Sequence, residues 1–358
     1  MFNCADDVLA YHDDKITLPG TERGNMRERR NANRTRLKNG LKKAGKPAPV
    51  KFKSQGSYAM KTMTQHDDNK YDIDDGVYFL KEGLVGPRGG EMSALEARQM
   101  VRDAVDDGSF KKAPEVKKNC VRVHYEEGYH VDLPVYRLVT TKNIFGQEEQ
   151  HAELASSDWK RSDARDVTDW FDTENQRQSP DTTNGRQLRR ITREIKKYAR
   201  SRPSWESQIL SGFGITKLVT EEFRADADRE DKALYDTMKA IRDRLRWNLV
   251  VVHPVTEGDT ITKGNDDPKA KFLRERLTEA IDNLAPTFEW DCTREKALKC
   301  WDKVFYTDFF SNRLEKTATN ESKAFAAPNI LTSGMLRDAA SDPVVRDAVR
   351  KEGGGRYA

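Results

Sequence analysis

The run YDIDDGVYF (71–79) reads as a β-strand, and it sets Asp72 and Asp74 on one face because side chains two apart in a strand point the same way. Asp75 faces the other side and reads as a strand-end residue rather than a ligand. Upstream stands the turn Gln55-Gly56-Ser57, which can bring backbone N–H groups and a hydroxyl close to phosphate oxygens. Hard carboxylates beside such a cradle describe a site for Mg²⁺ and a nucleoside triphosphate. A two-metal site needs a third carboxylate. Asp132, in HVDLPVY (130–136), is the best candidate, strand-borne with Val131 and Leu133 on the opposite face.

Around this centre the chain of 358 residues is long enough for two domains or one large bilobal unit. Its hydrophobic fraction is 36% against 34% charged, which fits a cleft-bearing protein outside the membrane. No apolar run approaches a membrane span, and the acidic start MFNCADDVLAYHDD has no apolar signal core, so the expectation is a cytoplasmic protein. Four scattered cysteines without a C-x-x-C pair argue against a zinc site or a disulfide scaffold and read as reduced packing residues. The net charge is only +4 but is unevenly spread. Thr21–Lys53 carries twelve Lys/Arg against two Glu, and Arg186–Arg202 eight against one. Two such zones point to phosphate-bearing partners, nucleotide or nucleic acid. The aromatic interleaving of a single-strand platform is missing from 23–43, so a long helix bracing two lobes is the preferred reading there.

The patterning predicts a short helix over 5–13, a long one from Thr21 to about Ala44, an extended Val50–Ser54, and a strand over 71–80. A helix follows over 92–106 with Leu95, Met100, Val101 and Val105 as its apolar stripe. Strands Cys120–Tyr125 and Tyr129–Val139 form a hairpin through Glu127-Gly128. From Ser156 the pattern is mostly helical. Gln187–Arg200 is amphipathic, with Arg189, Arg193, Lys196 and Arg200 along one flank. Further helices are expected over 206–223, 229–246, 268–283 and 293–313. The ending KEGGGRYA is flexible by composition.

The series Gly56-Ser57, Asp72-x-Asp74, Asp132 resembles nucleotidyltransferases of the polymerase-β type. The wording QGSYAMKT, DIDDGVYF and HVDLPVY is similar to the bacterial cGAS/DncV-like nucleotidyltransferases, the CD-NTases, and the likeness extends over roughly residues 50–225. It implies an α/β bilobal nucleotidyltransferase fold, with a small mixed sheet carrying the active site and a mainly helical second lobe. The implied domains are an N-terminal helix and catalytic core over 1–155, a helical lobe over 156–335, and a tail over 336–358.

The resemblance also implies the chemistry. Asp72, Asp74 and Asp132 match the metal triad for two Mg²⁺ ions, with Mn²⁺ as the substitute. Gln55, Gly56 and Ser57 match the phosphate-binding motif. Lys196 resembles the helical lysine that reaches the donor triphosphate, with Lys197 as its competitor. Arg122 resembles a strand arginine near the acceptor, the alternative being an ion pair with Glu126 or another acid across the hairpin. Relatives often carry a phosphate-binding serine in the next helix, where this chain has Ser211-Gly212-Phe213. His130 shares a face with Asp132, but such a histidine is more often structural. Base choice would fall to groups such as Tyr58, Met60 and the 253–262 segment.

The implied activity is joining of ATP, GTP or other ribonucleoside triphosphates into a cyclic di- or trinucleotide messenger, for example cyclic GMP-AMP, in anti-phage (CBASS) signalling. Template-independent addition to an RNA 3′ end is the alternative enzymatic reading, and an RNA-binding basic scaffold the non-catalytic one. Further partners implied are RNA or another regulator at the basic zones, and ubiquitin-like ligation machinery acting at Ala358.

Overall fold

The computed structural model describes residues 1–66, 71–87 and 89–314. The tail 336–358, with Ala358, lies outside the described residues, as does the end of the expected 156–335 lobe from residue 315 onward. In chain order the elements are α1 (Ala5–Tyr11), α2 (Gly20–Lys43), β1 (Lys51–Gln55), α3 (Gly56–Ala59), β2 (Asp72–Leu80), α4 (Ala94–Val105), β3 (Glu115–Val116) and β4 (Val121–His124). There follow β5 (His130–Leu133), β6 (Val135–Lys142), β7 (Glu148–Ala155), β8 (Trp159–Arg161), α5 (Ala164–Gln178), α6 (Gln187–Ala199), α7 (Gly212–Glu222), α8 (Glu230–Trp247), α9 (Pro268–Leu284) and α10 (Arg294–Phe305).

Among the described residues all eight strands join one mixed sheet. Strand β2 is its axis. It pairs antiparallel with β1 on one side and parallel with β5 and β6 on the other. The predicted strand 129–139 is therefore divided, because Pro134 has no N–H to donate, although its carbonyl still accepts from Val77 N at 2.8 Å. The register is unbroken across it: Asp72 lies opposite His130, Asp74 opposite Asp132, and Val77 opposite Val135. Strands β4 and β5 form the predicted hairpin, with Gly128 at φ +92° in its turn.

Two main apolar cores hold the protein. One face of the sheet packs Val77, Phe79, Val131 and Leu133 against Leu37 and Leu41 of α2 and Val101 of α4. The other core is helical, built around Trp301, Tyr198, Ile195 and Leu234. Helix α1 belongs to this second core despite its place at the chain start. Its Tyr11 packs against Phe305 and Phe310, and its buried Asp7 is ion-paired to Arg294 and Arg313.

Several expectations are corrected. Helix α2 is not a brace between lobes: its buried Met26, Asn33, Leu37 and Leu41 face the sheet side, and its main contacts are with α4, β2 and β5. Leu95 is exposed rather than in the stripe of α4, whose inner face is Ala94, Ala97, Met100, Val101, Ala104 and Val105. A capping box of Ser93 and Glu96 fixes where α4 starts. The helix expected over 206–223 begins only at Gly212, and that over 293–313 stops at Phe305, where Tyr306 turns left-handed at φ +55°. Strands β7 and β8 were not foreseen, since EEQHAELA is charged and half exposed.

Asp75 is no strand-end residue. It is fully buried mid-strand, clasped by both arms of Arg34 from α2 at 2.6 Å each and by the Ser54 hydroxyl at 3.2 Å. The face of β2 opposite the site thus ties the long helix to the sheet.

Candidate active site

A cleft of about 580 Å³ opens between the edge of the sheet and helices α5, α6 and α7. Asp72, Asp74 and Asp132 all line it, as do Gln55, Gly56, Ser57, Arg122 and Lys196. The parallel register of β2 and β5 explains the meeting of the acids, since it sets Asp74 beside Asp132 with Asp72 one pleat further along.

The turn before them is fitted to this arrangement. Gly56 sits at φ +63°, and a Cβ there would stand 2.1 Å from Asp74 Oδ2. Only glycine allows the backbone to cross so close to that carboxylate. Ser57 follows in the single turn α3, half-buried in the cleft wall. Gln55 is buried beneath it, accepting from the Tyr136 hydroxyl at 2.9 Å and filling the space over Gly76, where a Cβ would meet it at 2.0 Å.

Electrostatics set the three acids apart. Burial pushes the Asp74 carboxyl up to about 7, and the charges of Asp132 and Asp72 push the same way. Asp132 is turned into the fork of Arg122, which donates to both of its oxygens at 2.8 and 2.7 Å. Arg122 also stands 3.9 Å from Asp72 and is held more firmly charged by these contacts. The cross-hairpin ion pair, the alternative for Arg122, thus exists, and its partner is the third acid of the set rather than Glu126, which pairs with Lys111. Asp72 is half-exposed and takes a hydrogen bond from His130 Nδ1 at 2.9 Å.

Among the described residues no three His, Cys, Asp or Glu side chains stand close enough to hold a metal ion as they are. The donor chemistry nonetheless fits a hard divalent cation. Three carboxylates on adjacent strands offer oxygen only, and the crowding that raises Asp74 is what a cation would relieve.

On the opposite wall Lys196 is buried, its ammonium donating to Thr62 Oγ1 at 2.9 Å. Burial pulls it down to about 7, with Arg200 adding in the same direction. Lys197, the competitor, points instead toward Gln65 O at 3.4 Å. Ser211 does not line the cleft. Its hydroxyl caps α7 by accepting from Gly214 N at 3.2 Å, and it borders a neighbouring hollow, while Gly212 and Phe213 reach the cleft. Met60 and His253 line the cleft too, whereas Tyr58 faces a separate cavity. The sequence reading missed the contact of His130 with Asp72 and the seat that Thr62 gives Lys196. Alternation with Asp132 signalled the first, and nothing local signalled the second.

Residues 50–136 match the family profile of the cyclic GMP-AMP synthase DncV-like nucleotidyltransferase domain. Among solved structures the chain is similar to the GTP-bound form of Vibrio cholerae DncV, at 18% identity and a TM-score of 0.65, covering 85% of this chain and 95% of that one. The Vibrio cholerae enzyme in complex with the linear intermediate 5′-pppA(3′,5′)pG matches at 18%, with a TM-score of 0.65 over 85% and 96%. Escherichia coli DncV bound to 3′-deoxy GTP matches at 17%, with a TM-score of 0.61 over 81% and 92%. At these identities the likeness to the solved structures is one of fold. The profile match spans the strands that bear the three acids, so residues 50–136 form a DncV-like nucleotidyltransferase domain, and the chain around it has the DncV fold.

Proposed function

We propose that the protein joins ribonucleoside triphosphates into a cyclic di- or trinucleotide, of which cyclic GMP-AMP is one example, as a messenger in anti-phage signalling within the cytoplasm. The observation that carries this reading is the convergence of Asp72, Asp74 and Asp132 on one cleft, with the Gly56-Ser57 turn laid across Asp74. A cleft of about 580 Å³ lies within the range of pockets that take small-molecule ligands and cofactors. The profile match and the DncV structures, one with GTP and one with a linear intermediate, support the same class of chemistry.

Asp72, Asp74 and Asp132 would hold the divalent ions, Mg²⁺ or Mn²⁺. When bound, such ions neutralise triphosphate charge and lower the pKa of an attacking hydroxyl. The chain's own groups then have distinct tasks. Ser57 and the backbone of α3 take the phosphates of the donor. Lys196, kept near neutrality by burial, becomes fully charged when a triphosphate supplies the counter-charge. Arg122 hands Asp132 over and turns toward the acceptor nucleotide, so one residue neutralises the acid in one state and binds substrate in the other. Of the residues proposed for substrate, Ser211 contributes by capping α7 and so fixing Gly212 and Phe213 in the wall.

No helix among the described residues is long and apolar enough to cross a membrane. The domain plan of 1–155, 156–335 and 336–358, conjugation at Ala358, and RNA control at the basic zones remain part of the proposal.

Incubation with labelled nucleoside triphosphates and Mg²⁺ tests it. A phosphatase-resistant small product is expected, lost with EDTA and in D72N, D74N and G56A. A lengthened RNA without such a product would replace this reading by 3′-end addition. Undiminished synthesis in D72N/D74N would sink both.

A further inference from the structure

A second cavity, of about 170 Å³, adjoins the cleft through Met63, which lines both. Its wall carries three cations, Arg23, Lys61 and Arg193, and no carboxylate; Tyr58, Leu18 and Met63 form its apolar part. The cations come from three parts of the chain. Arg23 lies in the first turn of α2, Lys61 just beyond α3, and Arg193 in the middle of α6.

Arg193 is the telling member. It is 7% exposed. Its Nη2 donates to Asn184 O at 3.0 Å, while its enclosed Nε has no partner. Glu194, the acid next to it, is fully buried with both oxygens unpartnered, and burial pushes its carboxyl well up. Burial correspondingly pulls Arg193 down to about 10. The charges of Glu194 and Asp13 favour the guanidinium through space, but Glu194 makes no hydrogen bond to it and Asp13 is engaged by His12 and Asn184. Arg23 and Lys61 are exposed and, among the described residues, engage no acid. Lys61 also holds a left-handed backbone at φ +55°, which a non-glycine residue adopts at a cost and which aims its side chain at this cavity.

We propose that this cavity is a binding site, distinct from the active cleft, for a compact phosphate-class anion such as inorganic pyrophosphate. Its volume lies below the roughly 300 Å³ at which pockets for drug-sized ligands begin, so a compact anion fits it better than a ligand of nucleotide size. Three converging cations match an ion bearing several negative charges.

The position gives such an anion leverage. Tyr58 and Lys61 lie within the segment whose two ends, Ser57 and Thr62, line the cleft. Arg193 stands three residues before Lys196 on α6, about one helical turn away. An anion drawn in by these groups therefore supports, from behind, both walls that face the triphosphate. The site follows from its own lining and does not depend on which product the enzyme makes.

Calorimetric titration of inorganic pyrophosphate into the full chain, in EDTA and at physiological salt, tests the proposal by binding alone. Saturable one-site binding is expected. R23Q and K61Q, both at exposed positions, should each weaken it about tenfold, R193Q should abolish it, and K196M should leave it unchanged. If R193Q does not fold, the two exposed variants decide. Absence of saturable binding up to about 5 mM would overturn the site. So would binding that survives R23Q and K61Q but vanishes in K196M, which would place the anion in the cleft. A short single-stranded RNA that binds through these cations where phosphate and pyrophosphate do not would equally overturn it in favour of a nucleic-acid backbone.

Discussion

Helices α2 and α6 are the two most basic stretches of the chain, and they put their cations in opposite surroundings. On α2 the arginines stay at the protein's margin and reach inward by their tips. Arg36 meets the half-exposed Asp107 at 2.9 Å, Arg29 lies over the Tyr129 ring at 4.0 Å, and only Arg34 ends on a buried acid. On α6 the cations are enclosed. Arg190 is 4% exposed and ion-paired to Glu230 and Asp181, Arg189 grips Asp172 at 2.5 Å, and Lys196 is buried beside the cleft. The cause is the apolar content between the charges. Leu188, Ile191, Ile195 and Tyr198 recur at helical spacing and draw α6 into the helical core, whereas α2 offers few large apolar side chains and is held by one edge. A segment's net charge therefore says little about whether it faces a partner. The zone over Arg186–Arg202 reads as a phosphate-binding surface in sequence and is mostly internal wiring in the fold.

The contrast can be broken at several points. The largest effect is expected from R190M, which leaves Glu230, 3% exposed, without its ion-pair partner. Unfolding in urea should show a loss of about 3–5 kcal/mol. A loss under 1 kcal/mol, on the order of a surface pair, would mean that α6 is not the enclosed helix described. R34M should follow at about 3 kcal/mol, because Asp75 would keep only the Ser54 hydroxyl. Water reaching the partly exposed Arg34 position softens the loss.

K196M should move the other way. Removing a desolvated ammonium should raise the melting temperature, by about 2–4 °C for each kcal/mol recovered, while nucleotide turnover falls at least about tenfold. The pH dependence sharpens this. The folded-state value of about 7 lies below the unfolded one near 10.4, so the unfolded chain binds the extra proton between them. Stability of the natural protein should therefore rise with pH across that window more steeply than that of K196M. Identical slopes would show that Lys196 is not buried as described. R36Q, which removes an exposed pair on α2, should change stability by less than about 0.5 kcal/mol.

Much of the site was readable in advance because its parts are local. Alternation alone put Asp72 and Asp74 on one face and Asp75 on the other, and a Gly-Ser turn announced a close backbone approach. Less readable were features whose cause lies elsewhere in the chain. Asp75 looked like a strand-end charge because its partner Arg34 is forty-one residues away. Ser211 looked like a ligand because a serine before a helix has the same signature whether it caps the helix or meets a phosphate. Strands β7 and β8 escaped notice since edge strands half open to water lose the apolar alternation that marks inner ones.

By itself, the sequence determined the periodicities: which residues share a strand face, where helices carry an apolar stripe, and where glycine or proline interrupts them. These depend on neighbours within a few positions, where backbone geometry leaves few options. Only the tertiary structure decided which distant groups meet. It set Asp132 beside Asp74, clasped it with Arg122, closed Lys196 and Arg193 off from water, and gave one basic helix to the interior and the other to the margin. Coulombic and desolvation energies depend on distance in space, and the fold alone converts separation along the chain into that distance.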